Sequence, residues 1–217
     1  MRFRSITLGA LCFSAAAVVA LASPLAAQAN LLVNGDFEAT PNFTSTPSGW
    51  TNIGHSDGVM AYTFFSTPAY NGLYFYDLGG NGDPSGPIND GIQQTVATTP
   101  GDTYTLTFGL SSEDNAGTST LRVWIDGTSA DYNLTSTGTV LKKGFTTQSI
   151  EYLATAASTT IQFIETANTP APPGGGSNDP MIDGVIFDVK TSVPEPATML
   201  LLGLGLVGMA GVRRFKK

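Results

Sequence analysis

The stretch Asp90-Gly91-Ile92-Gln93-Gln94 places a carboxylate and two amides within five residues. Amides and carboxylates hydrogen-bond hydroxyl groups, and aromatic planes stack on sugar rings, so such groups beside aromatics suit a carbohydrate. Trp50, Tyr62, Tyr70, Tyr74, Tyr76, Trp124 and Tyr132 are aromatics available for such stacking. Trp50, Tyr74 and Tyr76 with Asp90, Gln93 and Gln94 form the candidate ligand set. In Leu73-Tyr74-Phe75-Tyr76-Asp77 both faces of a strand would carry aromatics, so one set must point outward or into a groove.

Catalytic chemistry is poorly served. His55 is the single histidine, which excludes any two-histidine metal site. Its surroundings, Asn52-Ile53-Gly54-His55-Ser56-Asp57-Gly58, hold no nucleophile elbow. Acids are many, but no spacing singles out a carboxylate pair for glycoside hydrolysis. The expectation is a protein that is not an enzyme.

The two ends of the chain explain where it works. Arg2 and Arg4 precede a mostly small or apolar run from Ile6 to Ala22, and Ala27-Gln28-Ala29 supplies a cleavage site. This is the layout of a secretory signal peptide over residues 1–29, with a mature chain starting at Asn30. Cys12, the only cysteine, would leave with it. The mature chain is therefore exported without disulfides and depends on its core or on metal. At the far end, Ala197–Val212 carry no charge. As a helix they would reach about 24 Å, short against a hydrocarbon core of about 30 Å. Arg213, Arg214, Lys216 and Lys217 follow and stop export at the inner membrane.

Residues 30–192 remain, the length of one domain. They hold sixteen acidic and four basic residues, a formal charge of about −12. That surface repels nucleic acid and anionic polymers. The segment is rich in Thr, Ser, Gly and Asn, and no long helical pattern appears. Short β-rich runs recur instead at 59–65, 72–78, 102–110, 119–126, 145–154, 158–166 and 181–190. In 103–110, Tyr104, Leu106, Phe108 and Leu110 share one face and Thr103, Thr105 and Thr107 the other. The linkers are Gly-, Pro-, Asn- and Asp-rich. Strands without intervening helices predict an all-β, antiparallel sandwich.

Val193-Pro194-Glu195-Pro196-Ala197-Thr198-Met199-Leu200, the oily segment and the basic end resemble a PEP-CTERM sorting signal over residues 193–217. Pro194, Glu195 and Pro196 are the sorting motif. The resemblance implies an exosortase, a membrane-embedded cysteine protease, as partner. It also implies transient anchoring in the inner membrane of a Gram-negative bacterium and delivery to the cell surface or exopolysaccharide matrix. Two prolines cannot join a helix interior, so the motif stays extended where a protease can reach it.

The mature start, Asn30-Leu31-Leu32-Val33-Asn34-Gly35-Asp36-Phe37-Glu38, and the closing Met181-Ile182-Asp183-Gly184-Val185-Ile186-Phe187-Asp188-Val189 resemble the ends of galactose-binding-like jelly rolls. Such domains occur among carbohydrate-binding modules and cell-wall proteins. The last strand departs from the usual Asp-Asn-Val by carrying Asp183-Gly184-Val185. The resemblance implies that opening and closing strands meet and that a structural Ca2+ binds between them. Its matching ligands are Glu38 and Asp183, with Asp36 contributing. Three functions then compete: a carbohydrate-binding matrix protein, a structural or adhesive surface protein without a defined ligand, and a polysaccharide hydrolase.

Overall fold

A computed structural model describes residues 30–40, 43–44, 46–54, 58–61, 68–79, 89–113, 115–138, 144–170 and 178–190. The expected signal peptide, the Pro-Glu-Pro motif, the C-terminal helix with its basic end, and His55 lie outside them. Among the described residues no helix is long and apolar enough to cross a membrane.

The described residues form ten strands: β1 Thr51–Ile53, β2 Gly58–Ala61, β3 Tyr74–Asp77, β4 Asp90–Ala97, β5 Thr103–Ser112, β6 Gly117–Ile125, β7 Thr128–Ser136, β8 Thr146–Leu153, β9 Ser158–Pro170 and β10 Pro180–Val189. They build two five-stranded antiparallel sheets. Sheet A has the order β1-β4-β9-β6-β7 and sheet B the order β2-β3-β10-β5-β8. This is the expected all-β jelly-roll sandwich.

Alternation drives the packing. In β5, Tyr104, Leu106, Phe108 and Leu110 are buried while Thr103, Thr105 and Thr107 are half-exposed. β9 does the same from the facing sheet with Ile161 and Phe163. A chain of ring contacts runs through the core, Tyr76–Phe37–Trp50–Phe163–Phe108–Tyr132, with centroids 5.1–6.2 Å apart. Such spacing adds favourable edge and offset contacts to the burial of the rings. Pro100-Gly101 turns the chain between β4 and β5, but the two strands lie in different sheets, so the turn is a crossover and not a hairpin.

Three local features depart from the sequence pattern. β7 carries only Tyr132 and Leu134 as large apolar residues, and no strand was expected there. It follows from the two-residue Asp126-Gly127 turn, with φ of 39° and 89° and Ile125 paired to Thr128. Positive φ at both positions is the type I′ hairpin that Asp-Gly favours. Second, residues 31–40 form turns and bends, not a strand. Asn34 and Phe37 adopt φ of 53° and 58°, which no ladder tolerates. The segment still runs along β10 through Leu31 N–H to Phe187 O at 3.0 Å and Val185 N–H to Gly35 O at 2.8 Å. Third, both faces of β3 are covered. Tyr76 enters the main core, and Phe75 joins Met60 and Met181 in a second apolar cluster, with Ala69 and Phe145 against it.

Candidate functional site

The β10 strand carries a bulge. Its pairing with β5 jumps from Asp183–Gly109 to Ile186–Thr107, one residue extra on β10. Gly184 takes φ of 59°, a conformation glycine adopts without penalty. The missing Cβ atoms also make room for a ring: one built on Gly184 would sit 2.7 Å from Tyr70 Cδ1, and one on Gly109 2.6 Å from Tyr70 Cγ. The Tyr70 ring therefore lies on two glycine backbones, and its hydroxyl meets Thr147 Oγ1 at 2.8 Å.

Two acids fix the segment around Tyr70. Asp183 Oδ2 accepts from Asn71 N–H at 2.9 Å, and its Oδ1 from Gly184 N–H at 2.6 Å. Glu38 Oε1 accepts from Leu73 N–H at 2.6 Å and Tyr74 N–H at 2.8 Å. Gly72 between them takes φ of 70°, and a Cβ there would fall 2.3 Å from Glu38 Oε1. Burial pushes the Asp183 carboxyl up to about 7. The N–H bonds from Asn71, Gly184 and Tyr70 oppose the shift, and the charge of Glu38 adds to it. Glu38 and Asp183 thus converge on one loop, as expected of ends that meet. Asp36, the third expected ligand, accepts weakly from Glu38 N–H at 3.5 Å. It lines an open cleft of about 610 Å³ with Asn30, Asn34, Tyr70, Asn71 and Ile186.

The expected ligand residues separate. Trp50 and Tyr76 lie in the core, 5% and 0% exposed. Trp50 Nε1–H donates to Asn34 O at 3.1 Å, and neither ring offers a face to a ligand. Gln94 points inward and clamps the opening segment, accepting from Val33 N–H at 2.7 Å and donating to Val33 O at 3.1 Å. Tyr74 packs partly buried against the core. Asp90 starts β4 opposite Glu165. Gln93 alone of the two glutamines faces outward, as strand alternation requires.

On that outer face of sheet A a row of side chains crosses four strands. Trp124 pairs with Ser129 and with Gln162, and Gln162 pairs with Gln93. Side chains opposite one another in paired strands are neighbours. Gln162 Nε2–H donates to Gln93 Oε1 at 2.8 Å, leaving the Gln93 NH2 and the Gln162 carbonyl toward solvent. Trp124, Gln162 and Gln93 are all half-exposed. Beside them Arg122 forks onto Asp131, with Nε and Nη2 each 2.7 Å from a carboxylate oxygen. This hydrogen bond, with its charge, holds Asp131 below the usual carboxylate range. Sequence reading had Trp124 among the aromatics but no reason to join it to Gln162, because only the β6–β9 register does so.

Comparison with known proteins follows the same division. Residues 192–214 match the PEP-CTERM protein-sorting motif. Residues 86–188, from just before β4 into β10, match a family described as "Protein of unknown function (DUF642)". No curated protein matches the chain. Among solved structures, the fold is similar to TmCBM61 in complex with β-1,4-galactotriose, at 21% identity and a TM-score of 0.46 over 75% of this chain and 99% of that one. It is also similar to a CBM4 structure, at 15% identity and 0.44 over 73% and 99%. A third is the CBM22-1 xylan-binding domain of Paenibacillus barcinonensis Xyn10C, at 12% and 0.44 over 70% and 92%.

Proposed function

We propose that this protein is an exported, non-enzymatic β-sandwich that binds a neutral polysaccharide across the outer face of sheet A, at the cell surface or in the extracellular matrix. The row Trp124–Gln162–Gln93 is the observation that carries this reading. It sets an aromatic plane beside two amides on one open sheet face, with Arg122 and Asp131 alongside. An indole stacks on the apolar face of a sugar ring, and the amides exchange hydrogen bonds with its hydroxyls. The acidic surface selects for uncharged glycans. The PEP-CTERM motif supports sorting by an exosortase: the precursor is held in the inner membrane, cut near Pro194-Glu195-Pro196, and passed to the surface. A calcium ion on Glu38 and Asp183 belongs to the same reading, since both acids close on the loop at residues 70–74; Glu38→Gln in a chelator-controlled melt tests it.

The test is affinity electrophoresis of the exported mature protein through gels holding galactans, xylans, mannans or glucans. Retardation by a neutral polymer, lost in Trp124→Ala and kept in Tyr70→Ala, supports the sheet A face. Loss in Tyr70→Ala alone moves the ligand to the cleft beside β10. Retardation by no polymer favours the structural or adhesive reading.

A further inference from the structure

A second group of acids stands at one end of sheet B, apart from Glu38 and Asp183. Asp77 ends β3, Glu113 follows β5, and Asp179 precedes β10. β10 lies between β3 and β5, so the three strand ends bring the carboxylates together. The ladder continues past the strands, with Glu113 N–H on Asp179 O at 2.9 Å and Leu78 N–H on Pro180 O at 3.0 Å. One oxygen from each acid lies within 4.8 Å of the other two, and all three side chains are buried. Gly79 has no Cβ where one would fall 1.8 Å from Asp179 Oδ2, so any larger residue would fill the cluster.

The amides around it supply the independent observation. Asn168 Nδ2 donates to both Glu165 Oε1 and Asp179 Oδ1, while its Oδ1 is sealed from solvent with no hydrogen-bond donor. Asn178, next to Asp179 and 0% exposed, likewise buries an Oδ1 without a donor. A buried carbonyl oxygen without a donor is costly and is the kind of ligand a hard cation accepts. The two ends of an amide have nearly the same shape. Turning Asn168 about its last torsion exchanges its NH2 for a carbonyl oxygen at Asp179 and Glu165.

We propose that Asp77, Glu113 and Asp179, with the side-chain carbonyls of Asn168 and Asn178, form a calcium site that locks this end of the sandwich. The donor set is all oxygen, without sulfur or imidazole, which selects a hard cation. Calcium takes six to eight oxygen ligands in flexible geometry at about 2.3–2.6 Å, which suits carboxylates and amide carbonyls gathered from separate strand ends. Magnesium, at about 2.1 Å, demands a tighter octahedron. The two basic side chains among the described residues, Arg122 and Lys190, pair with Asp131 and Glu151 instead. An exported chain would meet calcium only after crossing the membrane, so the site would close on the outer side.

Calcium titration into chelator-stripped mature protein, followed by calorimetry and thermal melts, tests this. The expected result is saturable binding that raises the melting temperature. Asp179→Asn and Glu113→Gln each weaken it at least tenfold. Both variants keep a cooperative melt without calcium, because each removes a charge from a crowded acid cluster. Glu151→Gln, at an exposed acid paired with Lys190, serves as the control and leaves this binding unchanged, while Glu38→Gln is measured alongside to remove the ion proposed on Glu38 and Asp183. Wild-type binding retained in both Asp179→Asn and Glu113→Gln, or lost only in Glu38→Gln, overturns the proposal. So does the absence of saturable binding up to about 10 mM, an order above the weakest extracellular modules.

Discussion

Glu165 is the acid whose removal should change the pH response most. It lies on β9 at 1% exposure, opposite Asp90. Burial pushes its carboxyl up to about 9, and the nearby charges of Asp179, Asp90 and Glu113 push the same way against the bond from Asn168. In the unfolded chain the same group ionises near the ordinary glutamate value of 4.5. Between those values the folded state holds a proton that the unfolded state has released. A raised acid pKa therefore favours folding below about 4.5, and that contribution is lost as pH rises toward 9. One proton of difference sets a slope of up to about 1.4 kcal/mol per pH unit. Asp183, raised to about 7, adds progressively less to the slope above that pH, and the difference in slope between the wild type and Glu165→Gln over the interval from pH 7 to 8.5 reads Glu165. Over it the calcium-free protein should lose up to about 2 kcal/mol. Glu165→Gln keeps the shape and removes the titration, so its stability should stay nearly flat there. The assay is urea unfolding in chelator at pH 7.0, 7.5, 8.0 and 8.5. Equal slopes in the two proteins would refute the assignment.

The remaining predictions probe packing and sorting. Phe163→Ala, beside Trp50 and Phe108, should cost about 3–5 kcal/mol by urea unfolding. Gly184→Ala, strained at φ of 59° and pressed on Tyr70, should cost about 1–2 kcal/mol from backbone conformation alone and raise the exposure of Tyr70 to quenchers. Gln94→Ala removes both bonds to Val33 and should speed hydrogen exchange at residues 31–40 before the sheets. Replacing Pro194-Glu195-Pro196 with alanines should leave uncut, membrane-bound precursor, read as a mass that retains Arg213 to Lys217.

The sandwich was legible because its pattern is local. Period-two alternation marks β5 and β9 directly, and Gly, Pro, Asn and Asp mark the breaks between strands. β7 was missed because a polar edge strand needs few inward apolar residues; the Asp126-Gly127 pair was its available signal. The opening segment looked like a strand because its apolar residues are dense, yet two positive φ values turn it. Of the candidate ligand residues, Gln93 was placed on an open face, while Trp50, Tyr76 and Gln94 went to structural work inside. Residue type cannot tell a core tyrosine from a platform when both strand faces are aromatic. The Trp124–Gln162 neighbourhood and the meeting of Asp77, Glu113 and Asp179 depend on register between strands distant in sequence. No window along the chain contains that information.

The most direct test of the central claim is a calorimetric titration of the exported mature protein with the neutral oligosaccharide whose polymer retards it best, alongside Trp124→Ala. The account predicts saturable binding by the wild type and at least a tenfold loss in the variant, which should unfold as cooperatively as the wild type. Undiminished binding by Trp124→Ala, or heats that never saturate for any neutral glycan, would contradict it.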